Sequence, residues 1–112
     1  MNRLVVTSVF HTAYKRLLKK YRSLSSQLVD LESKLLENPQ LGTDLGNGIY
    51  KIRLPNPDKP SGKSGGYRVI TYLVNKVKDV TTINLIVIYD KSQVSDISKD
   101  ELLKIIRRIF DD

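Results

Sequence analysis

Three cationic side chains in the middle of the chain have the type and spacing that could do chemistry. Residues 49–54 (IYKIRL) alternate as in a strand, so Lys51 and Arg53 share one sheet face. Arg68 lies on the next predicted strand and meets them if the strand register places it on that face. Three cations so close repel one another, and a bound phosphate would relieve the repulsion. The pattern therefore predicts a phosphate-binding sheet face.

The charge of the whole chain points in the same direction. Its 112 residues include 19 Lys and Arg against 12 Asp and Glu, a formal net charge of +7. The surplus is concentrated in residues 49–89, which carry seven basic and two acidic side chains. A concentrated positive surplus is typical of nucleic-acid binders, because neutralised phosphates release counterions. A merely soluble basic protein is the alternative interpretation.

The residue types exclude several other kinds of site. There is no cysteine and only one histidine, His11, so disulfides, thiolate metal sites and a two-histidine ribonuclease mechanism are excluded. No metal or other cofactor is expected. Residues 62–64 (GKS) resemble part of the phosphate-binding loop of an ATPase, but Pro57 stands where that motif needs glycine and a strand follows where it needs a helix. Nucleotide hydrolysis is therefore rejected.

Length and hydropathy set the domain organisation. A chain of 112 residues has room for one domain, which we expect to cover residues 1–112. The apolar run after Arg3 is too short for a signal peptide, and no apolar stretch approaches the length that spans a bilayer. The cytoplasm is the expected location.

Two kinds of periodicity predict the elements that position the cations. Residues 3–9 are rich in β-branched residues and predict a strand, and residues 10–37 show two helical periods that predict a helical hairpin. After Gly42 the period changes to two. Three antiparallel strands are predicted at 49–54, 67–74 and 82–89, with a loop at 56–66, a polar turn at 75–79 and a last helix that begins after Ser98.

Several short motifs recur in an order that resembles a known family. They are NPQLG at 38–42, YKIR at 50–53, GKSGGYRVI at 62–70, IYDK at 88–91 and SDIS at 95–98. The chain resembles the RelE/ParE superfamily of toxins from type II toxin–antitoxin systems, and HigB-type toxins within it most closely. The resemblance implies an α+β fold of order β-α-α-β-β-β-α, with a small twisted, mostly antiparallel sheet and a helical hairpin packed on one face.

The resemblance also implies a reaction and residues for it. Many members of the family cut mRNA in the ribosomal A site without a metal, by attack of the 2′-hydroxyl on the adjacent phosphate. Matched by motif, Lys51 is the candidate proton acceptor or relay, and Arg53 and Arg68 are candidate phosphate clamps. Several relatives carry a further arginine and a tyrosine beyond the last strand, where this chain offers Lys91, Ser92 and Ser98, with Tyr89 earlier. The proton donor is therefore left open.

Each candidate also has a structural interpretation. Arg68 could be a salt-bridged sheet arginine, Lys51 and Arg53 a solvated strand face, and Tyr89 a packing residue. Other lysines are candidate RNA-backbone contacts, with ordinary solvated surfaces as the alternative: Lys15 and Lys19 on the first helix, and Lys59 and Lys63 in the loop.

The resemblance implies partners and leaves rival functions open. The expected partners are an antitoxin that covers the basic surface, together with mRNA and the ribosome, and we expect a toxin–antitoxin hetero-oligomer without membrane association. The ParE branch of the superfamily poisons DNA gyrase instead, on the same scaffold. A nucleic-acid-binding regulatory protein that has lost its catalysis is the third possibility.

Overall fold

A five-stranded mixed sheet carries helices on both of its faces. The structure, a computed structural model, describes residues 1–59 and 65–111. Its elements are β1 Asn2–Val6, α1 Ser8–Lys20, α2 Leu24–Glu37, β2 Thr43–Gly46, β3 Ile49–Leu54, β4 Tyr67–Val77, β5 Val80–Asp90 and α3 Lys99–Phe110. The strand order is β1-β5-β4-β3-β2, in which β1 runs parallel to β5 and the other neighbours are antiparallel. The predicted α+β fold is confirmed.

The helical hairpin covers one face of the sheet. Thr7 caps α1 by accepting a hydrogen bond from the backbone N–H of Phe10. The inward residues of the two helices are spaced three or four apart and pack against the sheet: Phe10, Leu24, Leu28, Leu31 and Leu35, with Ile52, Tyr67 and Val69 from the strands. This arrangement confirms the predicted hairpin on one sheet face.

The last helix covers the opposite face. Ser98 caps α3 by accepting a hydrogen bond from the backbone N–H of Glu101, as its position predicts. Leu102 and Ile106 of α3 pack against a second cluster that includes Ile49, Ile70, Ile86 and Tyr89. In β3, Ile52 and Leu54 face the helical hairpin. Lys51 and Arg53 alternate with them, so they lie on the opposite face of the sheet, which α3 covers. Within the described ranges, no helix has the length and apolar character needed to cross a membrane.

Two predicted boundaries are wrong. The first strand was expected over 3–9, but β1 ends at Val6 because Thr7 adopts the capping position of α1. The polar residues 75–79 were expected to form a turn, but β4 continues to Val77 and the turn contains only Lys78 and Asp79. The end of β4 is exposed and tolerates polar side chains, so a prediction based on polarity alone placed the turn too early.

One short strand was not predicted. β2 pairs with β3 through a two-residue turn at Asn47 and Gly48, which both have positive φ angles of 58° and 80°. Asn-Gly in such a turn is a strong hairpin signal, because both residues tolerate the left-handed conformation. The dipeptide is therefore the sequence feature from which β2 could have been predicted.

Candidate active site

Three of the candidate residues form a row across the sheet. Arg53 of β3 pairs with Arg68 of β4, and Arg68 pairs with Tyr89 of β5. Directly opposed residues in antiparallel strands point to the same sheet face. Lys51 precedes Arg53 by two residues and shares this face. The register thus confirms that Arg68 joins the two cations of β3, while their catalytic roles stay predictions.

The backbone around Gly66 brings Arg68 into this row. Gly66 has a φ of 79°, and a Cβ atom there would lie 2.6 Å from the carbonyl oxygen of Leu54, so only glycine fits this close approach. Arg68 is buried, and its Nη1 donates to the carbonyl oxygens of Tyr67 at 3.2 Å and Gly65 at 3.4 Å. No acidic side chain among the described residues forms an ion pair with Arg68. Its charge is not neutralised by a described carboxylate.

A carboxylate that sequence reasoning missed lies beside the row. Asp96, in the segment between β5 and α3, accepts a hydrogen bond from the Tyr89 hydroxyl at 3.1 Å. Its oxygens also lie 3.7 Å from Nζ of Lys51 and 3.3 Å from Nζ of Lys91. Asp96 belongs to the SDIS motif, but that segment has no strand or helix period from which its position could be predicted. The fold therefore joins Lys51, Tyr89 and Lys91 through one acidic side chain.

These contacts hold Tyr89 protonated and Asp96 ionised. Burial is the largest effect that raises the pKa of Tyr89, and the hydrogen bond and charge of Asp96 raise it further. The Ile97 backbone and the charge of Arg68 lower it by smaller amounts. Burial alone would raise the pKa of Asp96, but its contacts with Lys91, Tyr89 and Lys51 outweigh burial, and the pKa lies below its usual value. At neutral pH the pair consists of a proton donor and a proton acceptor.

Residues 7–109 match a known protein family. The matching family is described as the RelE toxin of the RelE / RelB toxin–antitoxin system. The chain belongs to the RelE toxin family. A comparison with curated proteins found no match. Membership confirms the RelE/ParE-type resemblance and the toxin–antitoxin class, which implies an antitoxin partner; the HigB-type subdivision stays a prediction.

Lys59 of this RelE-family toxin lies in a separate network. Its Nζ is 3.2 Å from Oδ2 of Asp90, which is 2% exposed, and contacts the hydroxyl of Ser92. Burial would raise the pKa of Asp90, but hydrogen bonds from Ser92 and Lys59 outweigh it and lower the pKa. Lys59 also lies 5.7 Å from the ring centre of Tyr21, at the end of α1. Lys59 thus ties the loop after β3 to β5, and an RNA contact of this lysine stays a prediction.

Two other predicted RNA-binding lysines of the toxin, Lys15 and Lys19, are not part of the row. Lys15 and Lys19 are exposed on α1, which packs on the opposite sheet face, so the structure does not bring them to Arg53 and Arg68. Lys63 lies outside the described residues.

The described part of the toxin holds a groove on the α3 side that is separate from the row. Within residues 1–59 and 65–111, no group of three or more His, Cys, Asp or Glu side chains could hold a metal ion. A groove of about 520 Å³ lies elsewhere on the α3 side, between the last turns of α3 and the β4–β5 hairpin. None of the candidate residues lines it. The candidate site is therefore described by its charges and strand register.

Proposed function

We propose that this RelE-family toxin is a metal-independent endoribonuclease that cuts mRNA on the ribosome. The observation that supports the proposal best is the row of Arg53, Arg68 and Tyr89, with Lys51 and Lys91 beside it. Cations gathered around a protonated hydroxyl suit a reaction in which a phosphate gains negative charge. The middle third of the chain holds the positive surplus, as an RNA-binding surface requires.

The proposed reaction is an internal transfer of the RNA phosphate. The ribose 2′-oxygen attacks the adjacent phosphorus, the bond from phosphorus to the 5′-oxygen breaks, and the products carry a 2′,3′-cyclic phosphate and a 5′-hydroxyl. The pentacoordinate intermediate bears additional negative charge, so cationic groups that bind it more tightly than the substrate accelerate the reaction. A proton must leave the 2′-hydroxyl, and another must reach the 5′-oxygen.

The residues on the α3 face suit these tasks. Arg53 and Arg68 hold the phosphate oxygens, because a guanidinium donates two parallel hydrogen bonds to such a group. Tyr89 protonates the 5′-oxygen, since its hydroxyl lies in the same row as the two arginines and carries its proton at neutral pH. Lys91 adds a cation beside the leaving group. The family resemblance gives Lys51 the role of proton acceptor or relay.

An acidic segment of the antitoxin is the proposed inhibitor of this face. A free toxin would stop its own host, and a concentrated positive surface favours rapid capture by an acidic chain. Co-expression with the product of the neighbouring gene is expected to rescue growth and yield a stable complex, weakened by Arg53→Glu. If neither neighbouring gene product co-purifies with the toxin, the proposed partner is wrong.

Cleavage on stalled ribosomes tests the proposed activity. Protein dialysed against EDTA is added to ribosomes stalled on a defined mRNA, and the ends of the products are identified. We expect a cut in the A-site codon that leaves a 2′,3′-cyclic phosphate. The matched control is the same mRNA with one 2′-deoxynucleotide at the mapped position, which should resist cleavage because it has no 2′-hydroxyl.

The same protein expressed in growing cells separates the rival functions. Intact transcripts together with an SOS response would indicate that the protein is a gyrase-poisoning toxin and not a nuclease. Intact transcripts without any growth effect would indicate a regulatory protein that has lost its catalysis.

A further inference from the structure

The carboxylate of Asp96 contacts Lys51, Tyr89 and Lys91. Its Oδ1 accepts the hydroxyl proton of Tyr89 at 3.1 Å and lies 3.7 Å from Nζ of Lys51, and its Oδ2 lies 3.3 Å from Nζ of Lys91. Within residues 1–59 and 65–111, no other acidic side chain lies within 4.0 Å of either ammonium group. Asp96 therefore occupies the centre of the group of residues proposed to move protons.

Folding stability does not explain this arrangement. The side chain of Asp96 is 47% exposed, and those of Lys51 and Lys91 are 27% and 29% exposed. Ion pairs at such positions contribute little to stability, because water screens them and ordering long side chains costs entropy. The same exposure leaves the carboxylate accessible to an RNA ribose. A catalytic role explains the position better than a structural one.

The charges of the site point to Asp96 as the proton acceptor. An ammonium group offers three donors and no acceptor, and the ammonium of Lys51 lies against a carboxylate. Asp96 has the opposite character, because an ionised carboxylate only accepts. Its lowered pKa, caused by Lys91, Tyr89 and Lys51 against the effect of burial, keeps it ionised at neutral pH.

We propose that Asp96 is the general base of the reaction, an inference that rests on the proposed nuclease function. An oxygen of Asp96 takes the proton of the 2′-hydroxyl while the 2′-oxygen bonds to phosphorus. The bond to the 5′-oxygen breaks, its electron pair stays on that oxygen, and Tyr89 supplies the proton that makes the 5′-hydroxyl. The step leaves a neutral carboxylic acid at Asp96 and a phenolate at Tyr89.

The hydrogen bond between Tyr89 and Asp96 returns both groups to their starting protonation states. The proton on Asp96 returns to Tyr89 along the 3.1 Å hydrogen bond, which regenerates both groups without a proton from solvent. Lys51 then acts as a cation that stabilises the developing charge and not as a base. This assignment replaces the role that the family resemblance gives to Lys51.

The pH dependence of the chemical step separates the two assignments. The groups that face Asp96 are Lys51 from β3, and Tyr89 and Lys91 from β5 and its following segment, while Arg68 of β4 acts on Tyr89. An ionised Asp96 gives a single-turnover rate that is flat between about pH 6 and 8, because its pKa lies below this range. A lysine acceptor must first lose its own proton, so the rate would rise with pH through this range, by up to about tenfold per pH unit.

Variants at Asp96 complete the experiment. Asp96→Asn is expected to slow single-turnover cleavage on stalled ribosomes by on the order of a hundredfold, the usual contribution of a general base. The Asp96→Asn variant should bind the ribosome as tightly as the parent or more tightly, because the substitution removes a negative charge from a surface that is otherwise cationic. Added formate should partly restore Asp96→Ala, since a free carboxylate can take the same proton. Asp30→Asn, the same charge change at an exposed ion pair on α2, should cut as fast as the parent.

The outcomes distinguish this inference from the function on which it rests. If the parent cuts and Asp96→Asn cuts within threefold of it, or if the parent rate rises tenfold per pH unit, the inference is wrong and the nuclease stands. If the parent leaves the transcripts intact, both are wrong. Asp96→Asn could also lose cleavage while it binds the ribosome more weakly and while formate fails to restore Asp96→Ala. That result would assign Asp96 a structural role and overturn the inference.

Discussion

Arg53 of β3 and Arg68 of β4 occupy one cross-strand pair, so the sheet places two arginines directly opposite each other. Like charges in such a pair destabilise a sheet. No acidic side chain of the described residues forms an ion pair with either arginine. The repulsion between the two arginines is therefore expected to reduce the folding stability of the free protein. Binding of an anion should relieve it.

The first prediction follows from this repulsion. Arg53→Gln is expected to raise the free energy of unfolding by about 0.5 kcal/mol, since cross-strand charge pairs are worth roughly 0.2–1 kcal/mol and like charges act with the opposite sign. The same change should slow RNA cleavage. Urea denaturation measures the stability, with Lys76→Gln on the exposed end of β4 as the charge-matched control. A lower stability of Arg53→Gln would show that the two arginines do not repel.

The second prediction concerns Arg68 itself. Arg68→Ala should lower the rate of mRNA cleavage by on the order of a hundredfold, as the loss of one transition-state donor usually does. Arg68→Lys should recover little of it, because an ammonium cannot make two parallel hydrogen bonds to a phosphate. Circular dichroism should show a native fold for both variants. An Arg68→Ala variant that cuts as fast as the parent would remove this residue from the site.

The salt dependence of RNA binding tests which lysines touch phosphates. Each contact with a single strand contributes about 0.7 to the slope of log affinity against log salt. Lys51→Met and Lys91→Met should each reduce the slope by about that amount, because both lysines lie beside the row. Lys15→Met and Lys19→Met on α1 test the second predicted contact surface in the same assay. Unchanged slopes for these α1 variants would mean that this helix face is only solvated.

Asp90 provides a prediction about stability and pH. Asp90→Asn should lower the free energy of unfolding by about 2 kcal/mol at pH 7, less than the roughly 3–5 kcal/mol of a fully buried pair, because Lys59 is 25% exposed. The folded-state pKa of Asp90 is lowered, so its contribution is present above the pKa of the unfolded chain and disappears as the pH falls through the folded pKa. Thermal unfolding between about pH 7 and 3 should therefore show the parent and the variant converging in acid.

His11 provides a negative prediction. It is exposed in the first turn of α1, which packs on the sheet face opposite the candidate site. His11→Ala should leave the rate of mRNA cleavage unchanged in the stalled-ribosome assay. A large loss of activity would place the site on the helical hairpin and not on the α3 face.

Much of the fold could be predicted from local patterns. The helical spacing from Phe10 to Leu35 predicted the hairpin, and the alternation in residues 49–54 correctly separated Lys51 and Arg53 from the buried Tyr50 and Ile52. These patterns are reliable because side-chain direction along a helix or a strand follows from the backbone alone. The unpredicted strand β2 was also within reach, through its Asn-Gly turn.

Other features were decided only by the tertiary structure. A shift of one residue between β3 and β4 would move Arg68 to the hairpin side, so the cluster of cations depends on register and not on residue type. The parallel pairing of β1 with β5 and the contact between Lys59 and Asp90 join positions far apart in the chain. Asp96 lies in a segment without period, and only the packing of α3 brings it to Tyr89. Alternation and composition thus determined which side chains were available on each strand, whereas long-range pairing decided which of them meet, because pairing depends on contacts that no local pattern records.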